Sequence, residues 1–231
     1  MIGLLFFKAY RGNAGRLTHS QIAHMKRLGK FERAKAMARV VPKLRAIYNR
    51  HLLLSGFPKK KALALAAKLM DRVYLRVGNE TSAEEGVYGL TTLKRAHAVL
   101  RGNRVSFQYV GKKQVEQQHA TADRAIVDTL QEMLAIPGNA TEALFVYQDR
   151  YGKARPVTAK MLRFYLGHFG ITPKDFRTYH ANRLFLQRMQ GKRRTAAHVE
   201  EALAWVAERL GHTPEVTKRA YLDPRFLGRT P

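Results

Sequence analysis

The sequence predicts an α+β chain, mainly α-helical, with one small three-stranded antiparallel sheet. Three observations carry that prediction. Apolar residues recur at helical spacing from Gln21 to Val73 and again from Asp123 to Tyr221, the signature of helices burying one face. Between those regions Val105, Phe107 and Tyr109 alternate with Ser106, Gln108 and Val110, the period of a half-buried strand. Turn-forming residues flank that strand, Arg101-Gly102-Asn103-Arg104 before it and Gly111-Lys112-Lys113-Gln114 after it, so its neighbours fold back beside it.

Taken in order, Ile2–Phe7 reads as a short strand and Arg11–Gly15 as a turn. Ile22, Met25, Leu28 and Phe31 open the helical region, and Met37, Val40, Val41, Leu44 and Ile47 continue it past a kink at Pro42. Pro58 opens the next helix, with Leu63, Leu65, Leu69, Met70 and Val73 on its apolar face. Proline suits a helix start because its missing N–H has no intrahelical partner there. Tyr88–Leu93 and His97–Leu100 are rich in β-branched and aromatic residues, and Val115–Ala120 returns as a strand after the Gly111 turn. Asp123–Ile136 is a helix stopped by Pro137-Gly138, and Leu144–Tyr147 is a short apolar segment before a loop. Thr158 caps a helix reaching His168, Pro173 starts one running to about Met189, and Thr195 caps another reaching Leu210. A short helix over Glu215–Tyr221 follows. No internal repeat or low-complexity linker interrupts the pattern.

Charge narrows the partners. The chain of 231 residues has 42 Lys and Arg against 17 Asp and Glu, a formal net charge of +25. Such an excess self-repels in isolation and predicts a polyanionic partner, most simply nucleic acid. A hydrophobic content of 45% argues against a disordered basic tail. The absence of cysteine excludes disulfides, thiolate zinc sites and a thiol nucleophile. The apolar run at the N-terminus is far shorter than the roughly 18 residues of a membrane span, so the sequence reads as soluble and intracellular. The nine histidines show no ligand spacing and no Walker-type glycine loop is present, so neither a metal nor another cofactor is expected.

Five residues stand out only as an ordered set. Arg76 lies where a helix gives way to a turn, and alone it is a solvated charge. Lys112 sits on the hairpin turn after Tyr109-Val110-Gly111 and alone reads as an edge lysine. Arg177 has Asp175 two residues before it, which suggests an ion pair. His212 follows a glycine at a helix end, a capping position. Tyr221 comes nine residues after His212 and directly after Lys218-Arg219-Ala220; alone it is a core or interface aromatic. A phenol with a pKa near about 10 is a weak nucleophile until cations and a proton acceptor surround it. Arginines, a histidine and a basic pair supply that setting, and a phosphodiester is the matching target.

In that order, with the segments Leu75–Glu80, Tyr88–Leu93, Tyr109–Lys112, Asp175–Tyr179 and Gly211–Pro214, the chain resembles the type IB DNA topoisomerases of the small bacterial and poxvirus kind. The resemblance runs from about Phe31 to Pro224. It implies the helical catalytic domain shared by type IB topoisomerases and tyrosine recombinases, acting on double-stranded DNA as a monomer, without ATP or metal. Tyr221 would be the nucleophile that forms a 3′-phosphotyrosine, Lys112 the general acid, and Arg76, Arg177 and His212 the donors to the phosphoryl oxygens. Lys174 and Asn182 match positions that contact DNA phosphates in relatives, and Lys113, Lys218 and Arg219 are further DNA-binding candidates. Residues 1–20 read as a remnant or replacement of the family's N-terminal, mostly β domain, 21–75 as a helical part of the catalytic domain, and 76–231 as the catalytic core. Location in the cytoplasm or nucleoid of a bacterium, or encoding by a virus or phage, would fit. A tyrosine recombinase or integrase is the alternative, although its usual His-x-x-Arg-His motif is replaced here by Arg177-Thr178-Tyr179. A noncatalytic basic DNA-binding protein explains the charge but not the ordered set.

Overall fold

The computed structural model describes residues 17–227. The expected strand at Ile2–Phe7 and turn at Arg11–Gly15 lie outside those residues. Helices α1 (His19–Arg27), α2 (Lys30–Leu52), α3 (Lys59–Arg72) and α4 (Glu80–Glu84) precede strands β1 (Ala98–Arg101), β2 (Arg104–Gly111) and β3 (Val115–Thr121). Helix α5 (Arg124–Leu134), the hairpin β4 (Val146–Gln148) and β5 (Ala154–Pro156), and helices α6 (Ala159–Gly167), α7 (Pro173–Arg188) and α8 (Ala196–Leu210) follow. The result is the mainly helical α+β chain with a three-stranded antiparallel sheet, ordered β1-β2-β3. Two compact units form, one from the described residues up to Lys43 together with Phe169 onward, the other from Leu44–His168. Among the described residues no helix is long and apolar enough to cross a membrane.

In the second unit, α3 packs against α5, α6 and β4. Leu65, Leu69, Leu130, Met133, Leu162 and Leu166 have no exposed surface. The sheet alternates as its sequence demands: Val105, Phe107 and Tyr109 face inward while Arg104 and Gln108 are exposed. Phe107 pairs with His119 and Gly111 with Val115, which fixes the hairpin turn at Lys112–Gln114. Tyr88–Leu93 is no strand. Gly89 is extended and a 3₁₀ turn covers Leu90–Thr92, because Leu90 and Thr91 bond to the loop of Arg76 and Val77 and only Tyr88 reaches the sheet, at Val110. Two elements escaped the sequence reading, α4 and the β4–β5 hairpin; in the hairpin's tight turn Asp149 accepts bonds from the backbone N–H of Tyr151 and Lys153.

Helix α3 is buried far beyond its apolar face, and its buried polar residues Lys61, Lys68 and Asp71 have partners. Lys61 pairs with Glu132, Lys68 with Asp123. Asp71 is 1% exposed and accepts from Arg45 at 2.8 and 3.0 Å and from the Tyr48 hydroxyl at 2.8 Å. Burial, then the neighbouring Asp71 carboxylate, pushes the Tyr48 phenol well above its ordinary range. Asp71→Ala removes the acceptor of the buried Tyr48 hydroxyl and of the partly exposed Arg45 guanidinium, so unfolding in denaturant should show a loss of about 1–3 kcal/mol.

Candidate nucleic-acid active site

Three of the five candidate catalytic residues belong to the first unit, and local chain chemistry explains where they stand. Helix α7 begins as its sequence specifies, with Pro173 in its first turn. Asp175 accepts from the Thr172 N–H at 2.7 Å and the Thr172 hydroxyl at 2.9 Å, and pairs with Arg33 at 3.0 Å. One turn in from this anchored end, Arg177 is 6% exposed and donates to the carbonyl of Leu210, one of the acceptors that the end of α8 leaves open.

Helix α8 stops in a two-bond cap. Gly211 adopts φ 61°, ψ 53°, a left-handed conformation that costs other residues about 1–2 kcal/mol. Its N–H bonds to the Glu208 carbonyl at 3.2 Å, and the N–H of His212 reaches the Ala207 carbonyl at 3.1 Å, the Schellman pattern. The His212 backbone does cap the helix, and the same cap directs its ring. Thr213 then caps a single α-turn at Pro214–Val216, which widens into a π-turn over Thr217–Tyr221. Its wider bond runs from the N–H of Leu222 to the carbonyl of Thr217 at 2.9 Å. The expected helix to Tyr221 is therefore one α-turn followed by a π-turn, a distortion frequent at functional sites.

At the end of that turn Tyr221 is 8% exposed. Its ring stacks on His212, with centroids 5.1 Å apart and planes 17° from parallel. The Arg177 guanidinium carbon lies 5.6 Å from the phenol centroid. Lys30 carries a pKa held below the ordinary lysine value, mainly by burial and then by Lys174, while the Tyr221 phenol acts in the opposite direction. The phenol thus stands near cationic side chains.

Asn182 is 2% exposed. Its side-chain amide donates to the Tyr221 carbonyl at 2.8 Å and the Thr178 carbonyl at 2.6 Å, and its oxygen accepts from the Asp223 N–H at 2.8 Å. Asp223 in turn binds Arg225, which pairs with Glu32 at 2.7 Å. The backbone on both sides of Leu222, directly after Tyr221, is clasped from α7 and pinned beyond it. Lys174 and Lys218 are exposed, and Arg219, also exposed, pairs with Glu215. Sequence reasoning missed Lys30, Thr217 and Asp223. Only Asp223 carried a local signal, an aspartate before Pro224 that caps the next turn through the Arg225 N–H at 3.0 Å.

Arg76, Lys112 and Lys113 belong to the second unit, where backbone bonds hold their two loops. Leu90 N–H donates to the Arg76 carbonyl at 2.7 Å and Thr91 N–H to the Val77 carbonyl at 2.8 Å. This pairing needs glycine at position 89: a Cβ there would lie 2.5 Å from the backbone nitrogen of Gly78. Next to it, Tyr88 N–H donates to the Val110 carbonyl at 2.8 Å, two residues before Lys112. The loop of Arg76 is thus tied to the strand that carries Lys112. Lys112 and Lys113 are both exposed. Lys113 has φ 66° and Gln114 φ 57°, the left-handed conformations that let the three-residue turn close. Among the described residues no three His, Asp or Glu side chains group as a metal site.

The first unit thus holds a phenol beside an imidazole and a guanidinium, and the second presents an exposed lysine on the turn next to the strand to which the loop of Arg76 is tied. Comparisons with known proteins point to one family. A family model described as eukaryotic DNA topoisomerase I, catalytic core, matches residues 19–224. DNA topoisomerase 1 of Candidozyma auris is 28% identical over 176 residues, covering 74% of this chain and 22% of the fungal protein. DNA topoisomerase 1B of Acanthamoeba polyphaga mimivirus is 24% identical over 210 residues, covering 84% and 62%. DNA topoisomerase 1B of vaccinia virus (strain Copenhagen) is 22% identical over 196 residues, covering 81% and 60%. The chain thus spans under two thirds of the length of these relatives.

Proposed function

This chain belongs to the type IB DNA topoisomerase family, and on that premise we propose that it relaxes supercoiled duplex DNA by transient single-strand cleavage through a 3′-phosphotyrosine at Tyr221. The observation that carries this reading is the Tyr221 phenol stacked on His212, with the Arg177 guanidinium over its ring. The phenolic oxygen attacks phosphorus in line and its proton leaves to solvent. A bond from Tyr221 to phosphorus forms as the bond to the 5′-oxygen breaks. Arg76, Arg177 and His212 donate to the nonbridging oxygens as charge builds, and preorganised donors of this sort are usually the largest catalytic contribution. Arginine suits the role because its planar fork meets two phosphate oxygens at once. Lys112 gives the 5′-oxygen its proton. In the reverse step the 5′-hydroxyl attacks the phosphotyrosine, so the bond energy is kept and no ATP is needed. Lys113, Lys174, Lys218 and Arg219 add sequence-independent phosphate contacts, and one copy acts on one duplex.

The test is relaxation of supercoiled plasmid in EDTA without ATP, stopped with detergent to trap adducts. Relaxed topoisomers, with protein joined through Tyr221 to a 3′ end, are expected. Salt-sensitive binding with neither product on plasmid or on a nicked suicide duplex would overturn the proposal.

A further inference from the structure

Thr217 has a fully buried side chain at the first position of the π-turn. Its hydroxyl oxygen lies 3.1 Å from Nδ1 of His212 and 3.2 Å from the carbonyl of Thr213. That same carbonyl is 3.3 Å from the Nδ1 atom. Three polar atoms therefore meet where water has no access to the hydroxyl, and hydrogens must be shared among them.

A carbonyl only accepts, a hydroxyl has one hydrogen to give, and a neutral imidazole carries hydrogen on one nitrogen alone. If the hydroxyl gave its hydrogen to Nδ1, the Thr213 carbonyl would face two lone pairs, on the hydroxyl oxygen and on the ring. With hydrogen on Nδ1, each polar contact is met. The ring donates to Thr217, and Thr217 donates to the Thr213 carbonyl. We infer that Thr217 is a positioning residue that fixes neutral His212 as its Nδ1–H tautomer, leaving Nε2 without hydrogen until the ring becomes imidazolium.

This rests on the role proposed for His212 above, and it defines the charge state of that donor. A hydrogen bond from His212 Nε2 to a phosphoryl oxygen is then always charge-assisted, the stronger kind. The Thr217 carbonyl meanwhile closes the π-turn onto Leu222, so a single residue orients the imidazole and shapes the turn that carries the phenol.

Nitrogen-15 NMR of the labelled chain, at a pH above the titration of His212, reads the tautomer directly, with His212→Gln assigning the signal. The Nδ1–H pattern is expected. Thr217→Val keeps the shape and removes the hydroxyl, so it should release the ring to a mixture of tautomers; Thr217→Ser should restore the wild-type spectrum. In single-turnover cleavage of a nicked suicide duplex the valine variant should be about 10-fold slower and the serine variant within about 2-fold of wild type, with unchanged duplex affinity. An Nε2–H spectrum in the wild type overturns the inference, as does a valine variant matching wild type in both spectrum and rate. If the wild type forms no adduct, the proposed function fails, while the spectrum still decides the tautomer.

Discussion

Tyr221→Phe should abolish both the covalent adduct and plasmid relaxation while leaving duplex affinity within about twofold of wild type, since phosphate contacts carry most of the affinity. The substitution removes one oxygen and no charge. The six-membered ring that stacks on His212 and lies beneath Arg177 is retained, and so are the Asn182 bonds, which go to the backbone. The neighbouring Thr217 hydroxyl is fully buried and bonded to His212 and the Thr213 carbonyl, so no substitute nucleophile is expected. A detergent-stopped reaction on supercoiled plasmid, beside a binding titration at fixed salt, measures both quantities. Adduct formation by the phenylalanine variant would remove Tyr221 from the mechanism.

Lys112→Ala should be the next largest effect, slowing cleavage by about 10²–10⁴-fold, the usual contribution of a positioned general acid. The reason lies in the leaving group. An alkoxide is strongly basic and departs poorly without a proton, whereas a thiolate, with a pKa near about 8.5 for cysteine, needs none. A duplex with sulfur in the 5′-bridging position should therefore be cleaved at similar rates by the wild type and the alanine variant. Lys113→Ala is the internal control. Both lysines are exposed on the same turn, but only Lys112 directly follows Gly111, whose pairing with Val115 fixes the end of the sheet. The Lys113 variant should lose some affinity uniformly and show no selective response to sulfur. The opposite pattern would transfer the general-acid role to Lys113.

Features governed by neighbours in the chain were legible in the sequence. Thr158, Thr195 and Pro173 marked helix starts correctly because capping chemistry acts within one turn. The alternation of Val105, Phe107 and Tyr109 specified both the strand and its buried face. Tyr88–Leu93 misled because aromatic and β-branched residues report burial as well as strand; here they bury a loop whose geometry is set by Gly78 and Gly89. The π-turn was illegible because its residues, Thr217-Lys218-Arg219-Ala220-Tyr221, have no pattern that separates it from an α-turn. Asn182 and Thr217 show the deeper limit. Asn182 acts on backbone atoms 39 and 41 residues away, and no local spacing encodes such a partner. The ordered set of Arg76, Lys112, Arg177, His212 and Tyr221 was readable as chemistry, whereas the clasp that holds one of them was not.

The widened turn before Tyr221 also makes chain length a heritable constraint. Each residue of a regular helix rotates the next side chain by about 100°. Losing one position between His212 and Tyr221 would let the turn tighten to α-geometry and swing the phenol away from its imidazole neighbour, with every named side chain still present. Substitutions at Lys218, Arg219 or Ala220, none of them buried, alter only outward groups and leave that angle alone. Changes at Lys218 or Arg219 should therefore cost phosphate contacts but keep the angle, whereas the count of residues is fixed, so an insertion or deletion is the lesion to look for in an inactive homologue whose five residues are all intact.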